Sequence, residues 1–285
     1  MTWAGPDGVV RAGRISGMFA NLKRDGRRGL IAFLTAGDPS PARTPALVAA
    51  LERGGADLIE LGVPFSDPIA DGPVIHGAGP RARPAGTTLH KVLEIAAEIR
   101  RRSEIPLLLF TYLNPVVRYG LEALAVDAAA CGIDGCLLTD ASVEEAGEYV
   151  AAMHRHHLDT VFLAAPTSTE RRLRLVAQYS TGFVYLVSRT GVTGARESVS
   201  QAVRPLVESM RAVTNLPLAV GFGVSRPEHV AELGHQVEAV VVGSAIVNLI
   251  EKHAGDADPT ALEAQLESFV RELKQGFDLR AVEAR

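Results

Sequence analysis

"DLIELGVPFSDPIADGP", residues 57–73, joins an unbroken apolar run to a loop crowded with prolines and acids. Unbroken apolarity marks a strand covered on both faces, as in parallel sheets, rather than one with a solvated side. Glu60 interrupts the run, and a buried acid costs free energy unless it is paired, protonated or chemically useful.

The same kind of run recurs along the chain. Strands are predicted at LIAFLTA (30–36), DLIEL (57–61), PLLLFTY (106–112), GCLLT (135–139), TVFLAA (160–165), GFVYLV (182–187), PLAVGF (217–222) and AVVVGS (239–244). Amphipathic stretches separate them. After Thr88, for example, Leu89, Val92, Leu93, Ala96 and Ile99 share one helical face. Ser142-x-x-Glu145, Thr167-x-x-Glu170 and Ser225-x-x-Glu228 have the spacing of capping boxes. Eight βα units with no internal linker fit a single closed (β/α)8 TIM barrel over residues 1–285, with an extra N-terminal helix and short insertions. A doubly wound open sheet is the second choice. Residues 1–14 are expected to be a flexible extension.

Composition narrows the function classes. The chain has 285 residues, 47% hydrophobic and 22% charged, with a net charge of −4, which gives no electrostatic case for nucleic acid or an anionic membrane. The N-terminus has no apolar signal core, and no run of about 18 apolar residues occurs, so a cytoplasmic protein is expected. Cys131 and Cys136 read as small buried thiols; a zinc site needs more ligands.

In such barrels the active site lies at the C-terminal ends of the strands. Gly221-Phe222-Gly223-Val224-Ser225 closes the seventh strand, and Gly243-Ser244-Ala245 closes the eighth. Glycine lets backbone N–H groups approach an anion, and a helix start adds a favourable dipole. The pair reads as a phosphate cradle, although tight strand-to-helix turns alone would also use these glycines. The Gly-, Ser- and Thr-rich stretch 188–195 suits a lid over it.

Elimination points to carboxylates. The chain has only Lys23, Lys91, Lys252 and Lys274, none at a predicted strand end, so no amine is placed for a Schiff base. No histidine sits at a strand end, so metal ligands are missing, and neither a nucleophile elbow nor a dinucleotide fingerprint is present. Glu60, near the end of the second strand, is expected at the barrel mouth, where partial burial would raise its pKa into the range useful for proton transfer. Asp71 follows in a loop restricted by Pro68 and Pro73. The alternatives are a structural Glu60 held by backbone amides and a merely solvated Asp71.

IELGVPFSDPIADGP, GFVYLVSRTGVTG, TAGDP (35–39), GFGVS (221–225) and VVVGSAIV (240–247) together resemble the tryptophan synthase alpha subunit family, over about Ile15 to Leu279. That resemblance implies retro-aldol cleavage of indole-3-glycerol phosphate to indole and glyceraldehyde 3-phosphate. It makes Glu60 the general acid/base and Asp71 the acid at the indole N–H. It places Tyr185 beside the glutamate, and Phe33, Tyr112, Leu137 and Phe222 around the indole. Gly194, Gly223, Gly243 and Ser244 become phosphate contacts, and Thr193 a lid residue. Pro64 and Asp67 are implied at the interface with a beta subunit, in an alpha2beta2 tetramer whose pyridoxal phosphate sits on that partner. No cofactor or metal is implied in this subunit.

The chain departs from the family's pattern in places. His76 stands where a glutamine is usual, and Pro80 and Pro84 make the next helix doubtful. Asp140-Ala141-Ser142 replaces an Asp-x-Pro. A stand-alone lyase and a non-catalytic, phospho-ligand-binding regulatory barrel are the alternatives.

Overall fold

The computed structural model describes residues 13–187, 199–221, 223–256 and 258–279. Eight parallel strands close in sequence order: β1 (Gly29–Thr35), β2 (Leu58–Gly62), β3 (Leu107–Thr111), β4 (Gly135–Leu138), β5 (Asp159–Ala164), β6 (Val184–Val187), β7 (Leu218–Gly221) and β8 (Ala239–Val242). The last pairs back on the first, with Ile31 opposite Val241. This is the TIM barrel expected from the sequence, and most strand ends fall within a residue or two of the apolar runs.

The described helices are α1 (Arg14–Arg24), α2 (Thr44–Gly54), α3 (Pro73–Ala82), α4 (Leu89–Arg100), α5 (Leu113–Tyr119) and α6 (Leu121–Ala130). They continue with α7 (Gly147–Arg155), α8 (Glu170–Tyr179), α9 (Val199–Arg211), α10 (Pro227–Gly234), α11 (Ser244–His253) and α12 (Pro259–Gln275). Their apolar faces pack on the outward side chains of the strands, among them Leu30, Ala32 and Leu34 of β1.

Strand side chains alternate in direction, so every second residue enters the barrel. Ile31, Leu58, Leu108, Leu137, Val161, Tyr185, Ala219 and Val241 form this interior cluster. Glu60 lies two residues beyond Leu58 and shares its inward face, toward the C-terminal mouth. The opposite mouth is closed by α1, whose Ile15, Phe19 and Leu22 join the same cluster. Asp57, at the far end of β2, accepts from the Leu30 amide and pairs with Lys274, fastening α12 to the barrel floor.

Several local expectations are corrected. Arg14 does not belong to a free extension; it opens α1 and pairs with Glu104 at 2.7 Å and Asp134 at 3.0 Å. Residues 1–12 lie outside the described set. None of the three expected capping boxes forms. Ser142 precedes a 3-10 turn and bonds Glu144, the cap of α8 is Thr169 rather than Thr167, and Arg226 rather than Ser225 precedes α10. The spacing offers a local option, and the turn leaving each strand decides which residue takes it. The helix doubted for its prolines does form. Pro73 sits at the first position of α3, where its ring is tolerated, and Pro80 lies in the last turns, where it forgoes only the bond to the His76 carbonyl.

Candidate active site

Glu60 is completely buried, and among the described residues neither carboxylate oxygen has a hydrogen-bond partner. It stands opposite Phe33 on β1 and Leu108 on β3. With nothing to stabilise a charge, burial pushes its pKa up to about 8. The acid is therefore mostly protonated at neutral pH, able to give a proton and then take one back. Among the described residues no amide reaches it, which counts against a structural acid held by backbone amides.

Tyr185 enters the barrel from β6, and burial, followed by the nearness of the Glu60 carboxyl, pushes its phenol well up. Space for that ring comes from Gly221 at the end of β7, where a Cβ would lie 2.4 Å from the Tyr185 hydroxyl. Gly62 does the same for Phe33, whose ring would meet a Cβ at 2.6 Å. Each glycine sits at a strand end where a larger residue would displace an aromatic wall.

Asp71 occupies the loop between β2 and α3. A turn from the Asp71 amide to the Pro68 carbonyl, 3.1 Å, shapes that loop. Burial raises the Asp71 pKa, opposed by a hydrogen bond from the Tyr112 hydroxyl and by the charge of His76. The same hydroxyl accepts from the Ala70 amide at 3.2 Å. Tyr112 is thus a polar clamp on the acid loop as well as an apolar wall, its ring 5.1 Å from Phe65.

One cleft brings together Phe33, Asp71 and Tyr112, along with Pro64 and the unforeseen Thr35, Phe65, Ile75, His76 and Phe110. Phe110 stacks edge-on against Phe33 at 5.1 Å. Its position was readable, since it lies two residues past Leu108 on the inward face. Leu137 is not in this cleft; it is fully buried deeper in the barrel with Tyr185.

A second cleft contains Gly223, Ser225, Ser244, Asn248 and Lys252. Among the described residues no side chain caps the N-terminus of α11, and Gly223 takes the left-handed conformation, φ +67°. Uncapped amides at a helix start form an anion-binding end. Lys252, eight residues after Ser244, lies along the same face of α11 and adds positive charge. A Cβ on Gly243 would lie 3.6 Å from Phe33 and 3.7 Å from Ile75, so this cradle abuts the aromatic cleft. Asp67 is exposed on the acid loop. Thr193, Gly194 and Phe222, with the whole of the lid stretch 188–195, lie outside the described residues.

The closed barrel, with a buried acid on the inward face of β2 toward its C-terminal mouth, defines a TIM-barrel protein whose pocket lies where such barrels carry their active sites. Its kinship narrows that class. A family profile described as tryptophan synthase alpha chain matches residues 19–278. A tryptophan synthase alpha chain of Solibacter usitatus is 74% identical over 268 residues, 94% of this chain and 99% of the relative. The crystal structure of tryptophan synthase subunit alpha from Legionella pneumophila superposes with a TM-score of 0.86 at 34% identity, covering 94% and 99% of the two chains. A chain from the tryptophan synthase a2b2 complex of Pyrococcus furiosus gives 0.80 at 41% identity, covering 86% and 97%. The chain belongs to the tryptophan synthase alpha chain family.

Proposed function

We propose that this chain cleaves indole-3-glycerol phosphate to indole and glyceraldehyde 3-phosphate, the lyase step of its family, with Glu60 as general acid/base. The observation that carries the assignment of Glu60 is its complete burial without a hydrogen-bond partner. The protonated carboxyl delivers its proton to the ring carbon bearing the glycerol chain, creating an indoleninium cation. The resulting carboxylate takes the proton of the adjacent side-chain hydroxyl. As that oxygen becomes an aldehyde, the carbon–carbon bond breaks and its electrons return to the ring, releasing indole. The substrate supplies its own electron sink.

Asp71, held by Tyr112, accepts the indole N–H as a carboxylate and stabilises the cation. Phe33, Phe110 and Tyr112 flank the ring, and Tyr185 packs beside Glu60. Gly223, Gly243 and Ser244 hold the phosphate with backbone amides, assisted by Lys252. Gly194 and Thr193 complete the phosphate contacts and the lid. The whole chain works as one barrel domain.

The partner is a tryptophan synthase beta subunit, carrying pyridoxal phosphate, in an alpha2beta2 assembly. Pro64 and Asp67 face it. The 77% exposed Ile69 and the 60% exposed Val117, both following strand ends, offer it apolar contacts. Among the described residues no helix is long and apolar enough to cross a membrane, and we assign the protein to the cytoplasm.

The deciding experiment measures indole release from indole-3-glycerol phosphate with and without the cognate beta subunit. Release in either condition supports the reading, and its dependence on the partner separates a subunit from a stand-alone lyase. No release in both sinks it.

A further inference from the structure

The helix that follows Asp71 makes contacts the reaction itself does not require. At its N-terminal end α3 begins two residues after Asp71. In its middle, Ile75 stands against Gly243 at the start of α11. Near its C-terminal end Arg81 closes a three-way junction. Its Nε and Nη2 donate to the two carboxylate oxygens of Asp38 at 2.9 and 2.8 Å. Its Nη1 donates to Glu251 at 2.8 Å. Asp38 lies in the loop after β1, with its side chain only 1% exposed. Glu251 lies on α11, seven residues after Ser244.

The two halves of this junction differ in kind. A bidentate guanidinium–carboxylate pair fixes orientation as well as distance, and a buried carboxylate such as Asp38 requires such a partner. That half anchors α3 to the barrel wall. The bond to half-exposed Glu251 contributes little to stability, as exposed pairs generally do. It nevertheless ties α3 to α11, whose N-terminus borders the anion cradle. A helix is stiff along its axis, so a rotation of α11 reaches the acid loop through Ile75 at one point and Arg81 at another.

We propose that Arg81 is a positioning residue for the lyase reaction, locking α3 between the phosphate-binding helix and the acid loop so that filling the cradle sets Asp71. This inference rests on the proposed reaction and deepens it. The phosphate of the substrate thereby contributes to catalysis at a distance, in the way that remote binding energy orients reacting groups.

The test uses the full chain with its beta subunit and two variants, E251A and R81K. Glu251→Ala removes the acceptor for Arg81 Nη1 and leaves the buried Asp38 pair intact, so folding is not at risk. Arg81→Lys keeps the charge but cannot reach both carboxylates as a fork. In the wild type, saturating glycerol phosphate is expected to slow amide exchange in residues 69–72 several-fold. In both variants glycerol phosphate still binds, but that protection is lost, and kcat for indole release falls roughly 10-fold with KM changing less, short of the ~10²-fold that a 1 Å misplacement costs. Protection that persists in both variants, or that is absent in the wild type, overturns the coupling. So does an unchanged kcat. A wild type that releases no indole but shows the exchange coupling would fault the lyase assignment instead.

Discussion

Glu60→Gln tests the central physical statement about the site, that its acid is neutral because nothing solvates its charge. The glutamine keeps the shape and removes the titration. An unfolded glutamate carries the ordinary value of 4.5, whereas the folded one is raised to about 8. Between those values the folded state holds the proton and the unfolded state has released it. Rising pH therefore destabilises the folded wild type. The favourable contribution is fully present below about 4.5 and is lost as pH climbs through 8, with slope near 1.4 kcal/mol per unit. The group is completely buried, so solvent screening does not reduce the effect at the outset. From pH 6 to pH 8 the wild type should lose roughly 2 kcal/mol relative to E60Q in urea unfolding. Carboxyl carbon NMR of glutamate-labelled protein, with E60Q assigning the signal, reads the same titration directly. Parallel stability curves over that range, or a carboxyl that titrates near 4.5, would refute the argument. Turnover should meanwhile fall by at least ~10²–10⁴-fold with substrate binding largely spared, the scale of lost acid–base catalysis.

Three further outcomes follow from single contacts. Tyr112→Phe removes the bond to the Ala70 amide and to Asp71, and should lower kcat about 10-fold, the scale of one charge-assisted hydrogen bond; steady-state kinetics showing no change would return Tyr112 to an apolar role. Gly221→Ala drives a methyl toward the Tyr185 hydroxyl, 2.4 Å away. It should cost about 1–3 kcal/mol and reduce kcat, an expectation contradicted by an unchanged Tm and rate. His76→Gln removes a charge that favours the Asp71 carboxylate, so the Asp71 pKa rises further. The acid limb of kcat/KM should then move to higher pH; a limb that stays put would disconnect His76 from Asp71.

What the sequence made legible was whatever depends on periodicity. The strands are buried on both faces, so their apolar runs nearly mark their limits, and parity from Leu58 alone turns Glu60 inward. The same parity places Tyr185 two residues after Phe183 and would have found Phe110. Less legible was anything settled by how a loop closes. Whether Asp71 is a solvated acid or a clamped one depends on the turn from Pro68 and on the hydroxyl of Tyr112, the residue just after β3. Arg81 gave no signal at all, because its partners lie 43 residues before it and 170 after it in the chain. The prolines misled about α3 because the cost of Pro80 depends on where in the helix it falls. Resemblance supplied roles for Glu60 and Asp71 that periodicity could not, and the structure adds the physical distinction between them.

That distinction decides which acid does what. Burial raises both carboxyls, yet Asp71 retains a phenolic donor and a cationic neighbour, whereas Glu60 has neither. A donor favours the charged form of an acid, and its absence favours the neutral form. Asp71 is thus the group suited to meet a cation, and Glu60 the group suited to create one by giving up its proton. Exchanging the environments would work against both steps: a hydrogen-bonded Glu60 would lean toward its charged form, and an unsupported Asp71 toward its neutral one. The unsatisfied oxygens of Glu60, a stability cost by any accounting of buried polar groups, are therefore the condition for its chemistry. A relative that placed a hydroxyl within reach of Glu60 would be expected to gain stability above pH 6 and lose its lyase rate together.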